Sequence, residues 1–199
     1  MNDTLLIVPG YHGSGPGHWQ SWLQGQLPAA RRLDGVDWEA PQLNVWSGRL
    51  GEMIENATGR VWLVAHSFGC LVAVHAALAR EDRVAGALLV APADPERFGD
   101  PGLRVESDQG PSISPLLPQT PLTIPTILVA SSNDPWLRIT RAVYLAERWG
   151  SHFVDLGPAG HINAEAGFGP WPAGLRWLET LRQTALPLVG GLELAHPVK

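Results

Sequence analysis

The sequence predicts an α/β domain: a mostly parallel sheet of about six strands flanked by helices, in a three-layer sandwich. Three observations carry this. Short apolar runs alternate with segments of helical periodicity, the order that βαβ units require. The runs are apolar at nearly every position, as in parallel strands covered on both faces. The chain has 199 residues, 45% apolar and 17% charged, enough to enclose one sizeable core.

The strand candidates, in order, are TLLIV (4–8), VDWEA (36–40), VWLVA (61–65), VAGALLVA (84–91), TILVA (126–130) and HFVDL (152–156). Between the first two, Trp19, Trp22, Leu23 and Leu27 fall on one helical face that Pro28 closes. VWSGRLGEMIENA (45–57) reads as a second helix. From Phe68 to Arg80 the residues are apolar or small on nearly every side, which predicts a buried helix. A fourth helix opens with Pro135 in its first turn and ends at Gly150. WPAGLRWLETLRQT (171–184) is the last. One domain is expected over residues 1–186. Within it, residues 92–123, rich in proline, glycine and serine, form an irregular insertion near the site. Residues 187–199 read as a tail, an appended strand or a frayed end.

Composition excludes several classes. The formal net charge is −5 with no lysine or arginine block, which argues against nucleic acid or anionic lipid as partner. Cys70 is the single cysteine, so no intrachain disulfide or cysteine-rich metal site is expected, in keeping with a cytoplasmic location. The first apolar run is too short for a signal peptide or membrane span. No histidine–carboxylate group has metal-ligand spacing, and the glycine loop after the first run lacks G-K-[ST], so neither a metal nor a nucleotide cofactor is expected. The sequence assigns no oligomeric state.

The chemistry centres on VWLVAHSFGC (61–70). A strand run stops at Ser67 and a small-residue helix pattern begins. The spacing follows G-x-S-x-G, with Ala65 where the first glycine would stand and Gly69 at the second. A nucleophile elbow needs small residues at both places. Taken alone, Ser67 reads as a nucleophile or as a helix cap. A serine nucleophile needs a base, and the base an orienting acid. In α/β hydrolases these follow in the order Ser, Asp or Glu, His. Asp134 follows TILVA, and His161 lies in the glycine-flanked loop after HFVDL, so the order is met. Asp134 also suits a cap before Pro135. Asp94 is a competing acid on an earlier strand. Asp155 lies within a strand, His66 projects away from Ser67 by alternation, and His75 suits a hydrogen-bonded core position. His152 opens a strand and His196 is in the tail.

The two oxyanion donors are expected from the amide of Phe68, at the helix start, and that of Tyr11 in VPGYHGSGPGHW, with His12 next. Cys70 reads as a buried small hydrophobe. Most of the nine tryptophans suit the core. Trp136 and Trp171 adjoin the loops of Asp134 and His161, and with Tyr11, His12 and Phe68 they are expected to line a substrate pocket.

PGYHGSGPGHWQSW, VAHSFGC, SSNDPW, AERWG and GHINAEAGFGPWPAG together resemble the small serine hydrolases of the retinoblastoma-binding protein nine and YdeN-like family, over nearly the whole chain up to about Arg182. The resemblance implies an α/β-hydrolase fold with a reduced sheet and a triad of Ser67, Asp134 and His161, the three that chain order selects. The mammalian relative binds retinoblastoma protein through L-x-C-x-E. This chain has no such motif, so that role is not carried over. The expected activity is cleavage of small acyl esters by a carboxylesterase through an acyl-enzyme on Ser67. The alternatives are an aminopeptidase-like amidase, an acyltransferase with the same triad, and a non-catalytic binding protein on the scaffold.

Overall fold

The computed structural model describes residues 3–184. Six strands form one parallel sheet: β1 (Thr4–Val8), β2 (Arg31–Arg32), β3 (Val61–His66), β4 (Val84–Val90), β7 (Thr126–Ala130) and β8 (His152–Asp155), in the spatial order β2-β1-β3-β4-β7-β8. β5 (Phe98–Gly99) and β6 (Gly102–Leu103) pair as a small antiparallel hairpin within the proline-rich insertion. The helices are α1 (Trp19–Gln26), α2 (Leu43–Glu55), α3 (Phe68–Leu78), α4 (Ile139–Trp149) and α5 (Pro172–Thr184).

Alternation along the strands builds two apolar layers. Leu6 and Val8 of β1, Leu63 and Ala65 of β3, and Leu128 of β7 meet Trp46 and Leu50 of α2, most of α3 from Phe68 to Ala77, and Trp149 of α4. Leu5 and Ile7, Trp62 and Val64, and Ile127 and Val129 face the other way, onto Trp19 and Leu23 of α1 and Leu178 and Leu181 of α5. The continuous apolar runs thus are strands covered on both faces, and the sandwich has three layers.

Two elements depart from the sequence reading. VDWEA is not a strand. Asp37 Oδ1 accepts the Glu39 amide at 2.9 Å, a local turn that competes with ladder pairing. Trp38 instead gives its carbonyl to the His12 amide (3.0 Å) and packs edge-on against Trp46. The sheet edge is the two-residue β2. The fourth helix begins at Ile139, not at Pro135, because Asp134 Oδ1 accepts the Trp136 amide (2.8 Å) and turns residues 135–138 before the helix starts. Gly150 ends it in the left-handed conformation, φ 71°. The 187–199 tail and His196 lie outside the described residues. Among the described residues no helix is long and apolar enough to cross a membrane.

From β1 the chain first adds β2 on one side, then crosses to β3 on the other. The switch point therefore lies between β1 and β3. Ligands of open α/β sheets bind outside the carboxyl ends of the strands at such a point. The loop 9–18 leaves one of these ends, and Ser67 leaves the other.

Candidate active site

Ser67 stands between β3 and α3 with φ 55° and ψ −127°. It occupies the cap position of α3 but makes no capping bond with its side chain. Its hydroxyl instead donates to His161 Nε2 at 2.8 Å. His161 Nδ1–H is held by both Asp134 oxygens, each at 2.9 Å. Both side chains of this pair are buried, 8% and 3% exposed. The structure thus joins the three residues selected by chain order into one hydrogen-bonded line. Asp134 also performs its local turn role, one oxygen accepting the Trp136 amide. Asp94 lies apart from this line and caps the short 3₁₀ turn Pro95–Arg97.

The turn is possible because its neighbours are small. A Cβ on Gly69 would lie 2.3 Å from the Val8 carbonyl oxygen and 2.4 Å from that of Pro9. A Cβ on Gly10 would lie 2.7 Å from Ser67 Cβ. The loop after β1 therefore rests directly on the serine. Ala65 has room, because its methyl belongs to the core layer under α2 and α3.

The His12 amide is spent on Trp38 O (3.0 Å) and the Gly13 amide on Gly10 O (2.9 Å). Among the described residues the Tyr11 amide takes no such backbone partner. The Phe68 amide opens α3, where no intrahelical acceptor exists. The Tyr11 amide follows Gly10, which rests on Ser67, and the Phe68 amide is the next in the chain after Ser67.

A cleft of about 470 Å³ opens over Ser67. Tyr11, His12 and Trp136 line it, as expected. Two expectations need correction. The Phe68 ring is fully buried between Trp46 and Phe98, and Phe98, from the insertion, takes its place in the wall. Trp171 packs against Trp19 and Phe168 in the opposite core layer, away from the cleft. His18, Asn163 and Glu165 also line the cleft and escaped the sequence reading. Their signal was present only as position in the two glycine-flanked loops. Arg97 stacks on the Trp136 ring at 4.0 Å, fixing that wall from behind.

His66 also contributes: its Nε2 donates to the His161 carbonyl at 2.9 Å. His75 hydrogen-bonds Ser47 Oγ at 2.9 Å, the core role expected of it. Burial pushes the Cys70 thiol well up, and its Sγ–H reaches Val90 O at 3.4 Å, so it is an inert packing group. Among the described residues no cluster of three metal-ligating side chains is gathered.

His18 caps α1, its Nδ1 accepting the Gln20 amide at 3.1 Å. Burial, helped by Arg32 and His161, lowers its pKa from 6.5 to about 4. The unfolded chain then binds more protons than the folded one between these values. The contribution is complete above 6.5 and is lost as pH falls toward about 4. Buried His66 shifts in the same direction. The expected result is a urea midpoint that falls across this window. His18→Asn, which keeps a capping oxygen, should flatten the fall. An unchanged slope in that variant would assign the acid sensitivity elsewhere.

Sheet order, switch-point cleft and serine turn together define an α/β hydrolase. The chain belongs to the serine hydrolase family, whose profile matches residues 5–180. It is similar over 94% of each chain to a structure described as a YdeN-like hydrolase from Pectobacterium atrosepticum, at 38% identity and TM-score 0.83. The ydeN gene product of B. subtilis is similar at 21% identity over 92% of this chain and 100% of that one, TM-score 0.71. Est1E from Butyrivibrio proteoclasticus, with ferulic acid bound, shares the fold at 13% identity over 92% and 88% of the two chains, TM-score 0.62. No curated protein matches the chain.

Proposed function

We propose that this serine hydrolase is a carboxylesterase that cleaves small acyl esters through an acyl-enzyme on Ser67. The unbroken line from Ser67 Oγ through His161 to Asp134, open to a cleft, is the observation that carries the reading. In it His161 takes the Ser67 proton as the hydroxyl attacks the acyl carbon. Asp134 holds the tautomer and stabilises the imidazolium. The amides of Tyr11 and Phe68 meet the developing oxyanion, aided by the positive end of α3. The imidazolium returns its proton to the leaving alcohol, and a water deprotonated by His161 then releases the acid. No step needs a cofactor.

The cleft supports a small, uncharged acyl group. Tyr11, Phe98 and Trp136 supply aromatic walls, and none of its described lining residues is lysine or arginine to neutralise an acidic substrate. The buried, unreactive Cys70 suits a cytoplasmic protein.

A fluorophosphonate probe should label the wild-type protein, and p-nitrophenyl esters of short acyl chains should be hydrolysed faster than long ones. Folded protein that resists the probe would favour a binding protein on this scaffold. A panel of aminoacyl amides separates an amidase, and products formed with competing alcohols or amines separate an acyltransferase.

A further inference from the structure

The loop bearing His161 is held at four successive residues by side chains from elsewhere in the fold. The Ala159 amide donates to Ser131 Oγ at 2.9 Å and the Gly160 amide to Asn133 Oδ1 at 2.7 Å. The carbonyl oxygens of His161 and Ile162 accept from His66 Nε2 and Trp19 Nε1, both at 2.9 Å. Ser131 and Asn133 are joined to each other at 2.9 Å and lie on the stretch that carries Asp134. The loop needs this holding. Gly160 and Ile162, on either side of His161, have φ of 58° and 47°. For a β-branched residue the left-handed region is costly, and it persists only where the surroundings over-determine it.

Of the four side chains, that of His66 belongs to the residue beside the nucleophile. His66 ends β3 and is 5% exposed, with its ring 4.9 Å from that of His161 and 4.7 Å from that of His18. A carbonyl oxygen only accepts, so Nε2 of His66 carries the proton and Nδ1 does not. Burial, with His161 and His18 nearby, keeps the ring neutral, and the hydrogen bond to the His161 carbonyl selects the Nε2–H tautomer.

We propose that His66 is a positioning residue for the Ser67–His161 pair: its Nε2–H ties the histidine loop to the strand end that bears the nucleophile. Asn133 ties the same loop to the segment that bears the acid. The general base is thereby registered against both of its partners. The proposal rests on the hydrolytic reading above. Displacing a reacting group by about 1 Å costs on the order of 10² in rate, which sets the scale of the effect.

His66→Leu removes the donor at similar volume, and His66→Gln restores an N–H near the position of Nε2. The Leu variant should lose about 100-fold in kcat with KM within about threefold, and the Gln variant should recover to within about tenfold of wild type. The low-field proton NMR signal of His161 Nδ1–H, held by Asp134, should vanish in the Leu variant and return in the Gln variant. Unchanged kcat in the Leu variant, loss of kcat with the signal intact, or equal damage from Leu and Gln at wild-type stability would each overturn the proposal. Nitrogen-15 NMR of the wild-type protein reads the His66 tautomer whether or not the variants fold. Protonation at Nε2 is required, and protonation at Nδ1 sinks the idea. Both spectra are recorded without substrate, so they judge the clamp even in a protein that turns over no ester. A wild-type protein that resists the fluorophosphonate probe bears on the hydrolytic reading alone.

Discussion

Ser67→Ala is expected to lower kcat/KM for a short-chain ester by roughly four to six orders of magnitude and to abolish fluorophosphonate labelling. The residual rate, about 10³–10⁴ over water, comes from the oxyanion donors and binding, which the substitution leaves in place. The fold should survive with little change in melting temperature. The Ser67 side chain caps nothing, and its contact with His161 is its one hydrogen bond among the described residues. Alanine meets the same positive φ that serine does. Labelling that persists in the variant would remove Ser67 from the chemistry.

Gly69→Ala is expected to cost about 4 kcal/mol or more in stability and to abolish activity in whatever protein folds. The methyl would meet the carbonyl oxygens of Val8 and Pro9 at 2.3 and 2.4 Å. Both are backbone, so neither can rotate away. Relief would require moving the end of β1 and with it the loop that carries the Tyr11 amide. Losses this large follow from overpacking against backbone in the core. Ala65→Gly is the matching control. It should cost only about 1 kcal/mol, the usual price of glycine in a strand, and leave kcat within a few-fold. Urea denaturation of the two variants tests the pair. Wild-type stability in Gly69→Ala would show that the turn yields more readily than its geometry implies.

The contrast between these two positions explains a feature that looked irregular in the sequence. Ala65 departs from G-x-S-x-G at a place where a methyl has a pocket in the core. Gly69 keeps the motif at the place where α3 crosses the end of β1. A pattern written as two equivalent glycines hides two different packing situations, and only the tertiary contacts tell them apart.

Much of the architecture was legible because it rests on periodicity. Five of the six strand candidates and all five helices are present near the expected places. The exceptions have local causes. Asp37 and Asp134 each accept an amide two residues on, and such turns compete with strand and helix at short range. The run around Trp38 spoke for a strand and Pro135 for a first helical turn, while the aspartate beside each decided otherwise. Chain order selected Ser67, Asp134 and His161, since each follows a recognisable strand. The pocket walls were less legible. Trp171 adjoins the histidine loop in sequence yet turns into the opposite core layer, and Phe98 reaches the cleft from an insertion with little periodicity.

The order of most strands and helices, the small residues around Ser67 and the three groups of the hydrogen-bonded line can be read from the chain alone, because they are consequences of local pattern and chain order. Packing between distant segments settles which aromatic rings face the cleft, which loop amides lack a backbone partner among the described residues, and that His66 holds the carbonyl of His161. These depend on distances between segments far apart in the chain, such as the 2.9 Å from His66 to His161 across 95 positions, which no local pattern encodes.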